Sequence, residues 1–281
     1  MNPLHAFSQL SIKHVDHPFL IWNLILGGAA MCLMAFIFPS VGVIGSLIVL
    51  LLYVIATSLN TYRLVQLRLI DHQRQMQSLF SLYQTLNFKA PLPSLTGWAA
   101  SPELLTQIMI QIKRRNPGLV VELGSGASTI AIPYMLEKWG NGKIVSIDHD
   151  GDFGELTRQS IELHEHKNVD VIVTPLVKHV VKDDSYTWYD VSNVTYPSKI
   201  DILLVDGPPE QTNPLARYPA LPLLWDHLAD DALILMDDAD RTHERKIIRR
   251  WTTEYPVSVV QMASSLKGFA VLQVRKTKTS A

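Results

Sequence analysis

A glycine turn and five acidic residues carry the chemistry that this 281-residue chain displays. The run Val120-Val121-Glu122-Leu123-Gly124-Ser125-Gly126-Ala127-Ser128-Thr129 passes from β-branched residues through an acid into Gly-x-Gly, then into small hydroxyl residues able to open a helix. Glycine at 124 and 126 permits backbone conformations and a close ligand approach that a side chain would obstruct. A helix starting there points unsatisfied N–H groups at whatever occupies the turn. This is the pattern of a nucleotide or cofactor cradle, although Gly-x-Gly alone discriminates poorly. The other acids, Asp148, Asp206, Asp237 and Asp238, each close an apolar, β-prone run.

The elements that must position these residues alternate in type. Ser101-Pro102-Glu103 reads as a helix start, with serine as cap and proline in the first turn, and the helix runs to about Arg115. Strand Leu119–Leu123, helix Thr129–Lys138, strand Lys143–Ile147, a helix near Phe153–His166 and strand Val169–Val173 follow. Strand Ile200–Val205, a proline-punctuated helical stretch near Ala216–Leu228, strand Ala232–Met236 and a helix over Thr242–Glu254 complete the series. The alternation predicts an α/β Rossmann-like fold, a mostly parallel sheet with helices on both faces. Val257–Met262 and Phe269–Val274 leave no room for a crossover helix and are expected to form a terminal antiparallel hairpin. In such a sheet ligands gather at the carboxyl ends of the strands, which is where the five acids fall.

Over about Trp98 to Val274 the chain resembles the class I S-adenosylmethionine-dependent methyltransferases. The resemblance rests on Glu122-Leu123-Gly124-Ser125-Gly126, on Ile147-Asp148, on Asp201-Ile202-Leu203-Leu204-Val205-Asp206-Gly207-Pro208-Pro209, and on the terminal hairpin. It implies S-adenosylmethionine as cofactor, held by Glu122, Gly124, Ser125, Gly126, Ser128, Asp148 and Asp206. The glycines would admit the methionine part, Glu122 would help place its amino group, and Asp148 would accept from both ribose hydroxyls, as paired carboxylate oxygens can. An NAD-dependent oxidoreductase also places a ribose-binding acid near Asp148, but the third glycine of G-x-G-x-x-G is missing. A narrower resemblance, to the catechol-type O-methyltransferases, implies Mg²⁺ or another divalent cation on Asp206, Asp237 and Asp238. Gly207-Pro208-Pro209 departs from that family, offering no lysine where it carries a base. The other reading of the cluster is that Asp206 meets cofactor or substrate while Asp237 and Asp238 cap the next helix. Asp206 and His149 are the candidate catalytic residues, Pro208–Pro222, with Arg217 and Tyr218, is the candidate substrate-contacting loop, and Trp98 is expected either to pack over the site or to anchor the linker.

The rest of the chain supplies location. Net charge is −1, which gives no electrostatic case for nucleic acid, and the single cysteine, Cys32, excludes a disulfide framework. Residues 19–38 and 41–59 are two apolar runs, each of roughly the 20 residues that cross a bilayer. The connection between them is uncharged, whereas Lys13 precedes the pair and Arg63, Arg68 and Arg74 follow it. The positive-inside rule then puts both termini and the catalytic domain in the cytoplasm, with a bacterial inner membrane as the expected location. The expected organisation is an N-terminal segment 1–18, two transmembrane helices in 19–59, a helical linker 60–93, a methyltransferase domain 94–275 and a tail 276–281. Met76, Leu79, Phe80, Tyr83 and Leu86 recur at helical spacing along the linker, an ordinary packing stripe of a connector helix or a face that packs on the soluble domain or on a partner copy in a homo-oligomer. These features predict a membrane-anchored methyltransferase acting on an oxygen of a small-molecule or lipid-linked acceptor. The alternative is a tethered scaffold that binds cofactor without turnover.

Overall fold

The computed structural model describes residues 27–29, 36, 42–95, 97–263 and 267–276. The chain divides into two compact units, one over 12–73 and one over 74–281. Helix α1 (Gly42–Thr85) is a single element of 44 residues. It includes Leu47–Thr85, whose most apolar 18-residue stretch has mean hydropathy 1.6, the one described helix long and apolar enough to cross a membrane. Leu51, Leu52 and Leu59 on it are exposed. The first expected span, residues 19–38, lies almost wholly outside the described residues. The described fold therefore has one membrane-length helix, not the expected pair.

The larger unit is built on a seven-stranded sheet. Its strands are β1 (Leu119–Leu123), β2 (Lys143–Asp148), β3 (Val169–Val173), β6 (Ile200–Val205), β7 (Leu228–Asp237), β8 (Val257–Ala263) and β9 (Phe269–Val274). The order across the sheet is β3-β2-β1-β6-β7-β9-β8. The first five of these pair in parallel, while β9 runs antiparallel to both β7 and β8. The order reverses direction between β1 and β6, and such a switch point opens a crevice at the strand ends. The terminal hairpin expected from the sequence is the β8–β9 pair.

Alternation along the strands sends side chains to two faces. Leu119, Val121 and Leu123 of β1 join one core, with Ile147, Leu203, Ile234 and Trp251. Val120 joins the other, with Ile144, Ile202, Leu204 and Leu235. Helices α2 (Pro102–Arg115) and α3 (Ala127–Trp139) cover the second face, together with Leu82 near the end of α1 and Leu86 just beyond it. Ser101 caps α2, its Oγ accepting from the Leu104 amide at 3.2 Å, and Asn116 ends it in the left-handed region. Helix α4 (Gly151–Leu163) is capped by Asp150, which accepts from the Asp152 and Phe153 amides. The first face is covered by α5 (Ala220–Leu224), by α6 (Thr242–Glu254) and by a second, two-stranded sheet.

That second sheet was not expected. Strands β4 (Leu176–Val181) and β5 (Asp184–Tyr189) pair as a hairpin between β3 and β6. They plant Tyr186, Trp188 and Tyr189 in the core. The helical stretch expected near Ala216–Leu228 is shorter than its span: only α5 is α-helical, and Trp225–His227 is a single 3₁₀ turn.

Candidate functional site

The glycine turn is stitched to the strands beside it. Gly124 donates its amide to Ile147 O at 2.8 Å, and the Asp206 amide donates to Leu123 O at 3.0 Å. Gly124 has φ +97°, and a Cβ there would lie 3.3 Å from the Asp206 carbonyl carbon, so conformation and space both call for glycine. At Gly126, by contrast, a Cβ would meet nothing within 4 Å. Its amide donates to Thr129 Oγ1 at 2.9 Å, and that hydroxyl donates onward to Glu122 Oε2 at 2.5 Å.

Above the turn lies a cavity of about 660 Å³. Gly124, Ser125, Gly126 and Ala127 form part of its wall, and Asp148, His149 and Asp150 arrive from the end of β2. Asp206 and Gly207 arrive from the end of β6, with Pro209, Gln211 and Thr212 beyond them. Pro93, Ser94, Trp98 and Ala99 close another side. Trp98, 67% exposed, stands on the cavity wall, the first of the two placements the sequence allowed. Three carboxylates and one imidazole face the cavity, and among the described residues no lysine or arginine lines it. That balance favours a neutral or cationic ligand over an anionic one.

Each acid is held in a different way. Asp148 Oδ2 accepts the Ser125 amide and the Ser125 hydroxyl, each at 2.6 Å. Its Oδ1 accepts the His149 and Asp150 amides at 2.7 and 3.0 Å. Burial works against this carboxylate, but hydrogen bonds from His149, Ser125 and Asp150 outweigh it and hold the pKa below the ordinary aspartate value. His149 Nδ1 lies 3.4 Å from Asp148 Oδ1, and that contact raises the imidazole pKa against the opposing effect of burial.

Glu122 is fully buried behind the turn and does not reach the cavity wall. Thr129 and Ser146 hydroxyls donate to its Oε2, while Oε1 has no hydrogen-bond partner among the described residues. Burial pushes its pKa up to about 7 despite the hydroxyls of Ser128, Thr129 and Ser146. Ser128 is buried beside it and does not line the cavity.

The three acids Asp206, Asp237 and Asp238 do come together, with one ligand atom from each within 4.8 Å of the others. Arg217, however, is already seated among them. Its Nη2 donates to Asp206 O at 3.1 Å and Asp206 Oδ1 at 3.3 Å, and to Asp238 Oδ2 at 3.0 Å. Nη1 donates to Asp237 O at 3.0 Å, and Nε lies 3.8 Å from Glu244 Oε1. Burial and the neighbouring Asp237 raise the Asp206 pKa well above its usual value, although Arg217 counters them. Asp237 is raised by burial and by Asp238. Two of the three expected ligands are therefore occupied by a guanidinium, and Asp237 and Asp238 do not line the cavity. This donor set does not fit a substrate-contacting divalent ion. The capping alternative is not seen either, because Arg241 occupies the N-cap of α6 and no side chain caps it. His243 lies 3.0 Å from Glu210 and does not line the cavity.

One residue of this region takes a different role from the expected one, and another was not legible as a site residue. Arg217, expected with Tyr218 in the substrate-contacting stretch Pro208–Pro222, instead folds inward onto Asp206 and Asp238. Tyr189 lines the cavity from β5, is fully buried, and its hydroxyl has no hydrogen-bond partner among the described residues. A Cβ on Gly207 would collide with that hydroxyl. The signal for Tyr189 was the β-prone alternation on both sides of Lys182-Asp183, but that pair lacks the Asn-Gly or Asp-Gly that marks a two-residue hairpin.

No curated protein matches the chain. Among solved structures, the SAH-bound Podospora anserina methyltransferase PaMTH1 shares 14% identity, with 64% of this chain and 81% of that chain covered and a TM-score of 0.49. The O-methyltransferase from Bacillus cereus in complex with SAH shares 15% identity over 72% and 91% of the two chains, with a TM-score of 0.49. The O-methyltransferase TomG from Streptomyces achromogenes, in complex with SAM, shares 15% over 63% and 82%, with a TM-score of 0.47. Residues 121–239, which carry the glycine turn and all five acids, match the family model described as a methyltransferase domain.

Proposed function

We propose that the chain is an S-adenosylmethionine-dependent methyltransferase, anchored to a membrane by α1, that methylates an oxygen of a small or lipid-linked acceptor. One observation carries the reading: the cavity over Gly124–Gly126 is walled by Asp148 and Asp206 from two strand ends, inside the segment that matches a methyltransferase domain. The residues suit the cofactor. Gly126 leaves open space where a side chain would intrude, Asp148 offers an ionised carboxylate, and the acidic wall suits a ligand carrying a sulfonium and an ammonium.

When bound, the cofactor supplies a methyl group that passes to the acceptor's lone pair while the carbon–sulfur electron pair stays on sulfur. The protein's part is to hold donor and acceptor in line, which supplies much of such a rate enhancement, and to take the acceptor's proton. Asp206 and His149 both reach the cavity. Asp206 is the candidate base on position, since it stands on the cavity wall at the end of β6 and burial raises the proton affinity of its carboxylate.

Calorimetry on the purified full-length protein with S-adenosylhomocysteine tests the cofactor. Binding is expected, and NAD is expected not to compete. A chain that binds NAD and ignores S-adenosylhomocysteine overturns the proposal.

A further inference from the structure

Arg217 stands where the sequence suggested a metal. Its side chain is 4% exposed, and its guanidinium bridges the ends of two strands, reaching the backbone carbonyls of Asp206 after β6 and Asp237 on β7. The same group faces Asp206 Oδ1 at 3.3 Å and Asp238 Oδ2 at 3.0 Å. Asp238 Oδ1 is in turn 3.0 Å from Arg241 Nη2. Lys267 also acts electrostatically on Asp206 and Asp237. Three basic side chains thus serve the cluster, and one of them is buried within it.

We propose that the guanidinium of Arg217 is the resident cation of the Asp206–Asp237–Asp238 cluster, and that the protein binds no divalent metal there. The planar five-donor fork of arginine suits this seat, since it satisfies carboxylates and carbonyls at once. A Mg²⁺ ion needs near-octahedral oxygen ligation at close range. An ion seated among the three acids would have to share Asp206 and Asp238 with a buried guanidinium of the same sign of charge, and drawing the acids off Arg217 would leave that guanidinium unpaired, which is costly. Both carboxylate oxygens of Asp238 face an arginine and Asp206 faces one through Oδ1, which leaves the side-chain oxygens of Asp237, without a hydrogen-bond partner among the described residues, and Asp206 Oδ2 as too few ligands for such an ion. Arg217 thereby acts as a positioning residue, holding the Asp206 carboxyl at the cavity wall. The proposal goes beyond the cofactor reading and does not depend on it, because metal occupancy is measured without turnover.

The test is a Mn²⁺ titration of the full-length protein in detergent, followed by electron paramagnetic resonance. The wild type is expected to bind no Mn²⁺. Arg217→Met removes the charge while keeping a long side chain, and is expected to gain Mn²⁺ affinity by at least about tenfold as the acids lose their counter-charge. Arg217→Lys keeps the charge and is expected to stay silent. Mn²⁺ bound by the wild type overturns the proposal, as does a folded Arg217→Met protein without the gain. Should the methionine variant fail to fold, binding or silence of the wild type decides.

Discussion

Ser125 and Asp148 are joined twice: the backbone amide and the hydroxyl of Ser125 both donate to Asp148 Oδ2 at 2.6 Å. The acid at the end of β2 thus fixes the shape of the glycine turn that follows β1, and it faces the cavity at the same time. Asp148→Ala is expected to weaken S-adenosylhomocysteine binding about tenfold or more, the scale of losing a hydrogen bond to a charged group. It is also expected to lower the thermal midpoint, because the Ser125, His149 and Asp150 amides lose their acceptor. Calorimetry and thermal unfolding check the two effects, and unchanged affinity would count against a ligand contact at Asp148.

Glu122 makes stability depend on pH in a direction opposite to most carboxylates. Its folded pKa, about 7, lies above the ordinary 4.5, so between those values the folded state holds more protons than the unfolded one. Stability should fall as pH rises from about 4.5 to about 7 and level off above, with a total on the order of 3 kcal/mol. Glu122→Gln keeps an acceptor for Thr129 and Ser146 and removes the titration. Denaturant unfolding across this range should show the wild-type slope flattened in the variant, which should gain on the wild type as pH rises. Parallel curves would sink the assignment.

The two glycines of the turn serve different ends, and alanine separates them. At Gly124, φ is +97° and the new Cβ would crowd the Asp206 carbonyl, so Gly124→Ala should cost about 1–3 kcal/mol of stability. At Gly126 the new methyl group meets open space on the cavity wall. Gly126→Ala should unfold at the wild-type temperature but bind S-adenosylhomocysteine more weakly. Loss of stability at 126 with intact binding would reverse the roles.

The parallel core was legible because buried strands such as Leu119–Leu123 are mostly apolar runs bounded by turns, and because four of the five parallel strands carry an acid at or beside the ligand-facing end. What escaped was non-local. The pairing of β4 with β5 depends on a turn at Lys182-Asp183 that carries no strong hairpin signal, and Lys182 adopts φ +56° there without being glycine. Arg217 reads as part of a substrate-contacting loop until the chain folds back and brings four acidic side chains around it. Charge clusters can be recognised from strand ends, but the residue that neutralises them comes from elsewhere in the sequence.

Tyr189 gives that lesson a measurable form. A buried hydroxyl without a partner costs stability in the empty protein, so Tyr189→Phe should leave thermal stability unchanged or higher. If the hydroxyl donates to a ligand in the cavity, the same variant should lose roughly two- to tenfold in S-adenosylhomocysteine affinity. Calorimetry beside thermal unfolding distinguishes this from a packing role, in which the thermal midpoint drops and the affinity stays.

The exposed apolar surface of α1 makes a prediction about location. Leu51, Leu52, Ile55 and Leu59 face outward on a helix whose apolar stretch reaches spanning length. Each such side chain left in water forgoes about 1.5–3 kcal/mol of burial, so a run of them needs a lipid or protein environment. The full-length chain is expected to remain with membranes through an alkaline carbonate wash. A chain starting at Arg74 keeps Leu82 and Leu86 for the core and should stay in the supernatant with unchanged S-adenosylhomocysteine affinity. Release of the full-length chain by carbonate would remove the anchor. Loss of binding in the shorter chain would instead show that residues before Arg74 support the cofactor cavity.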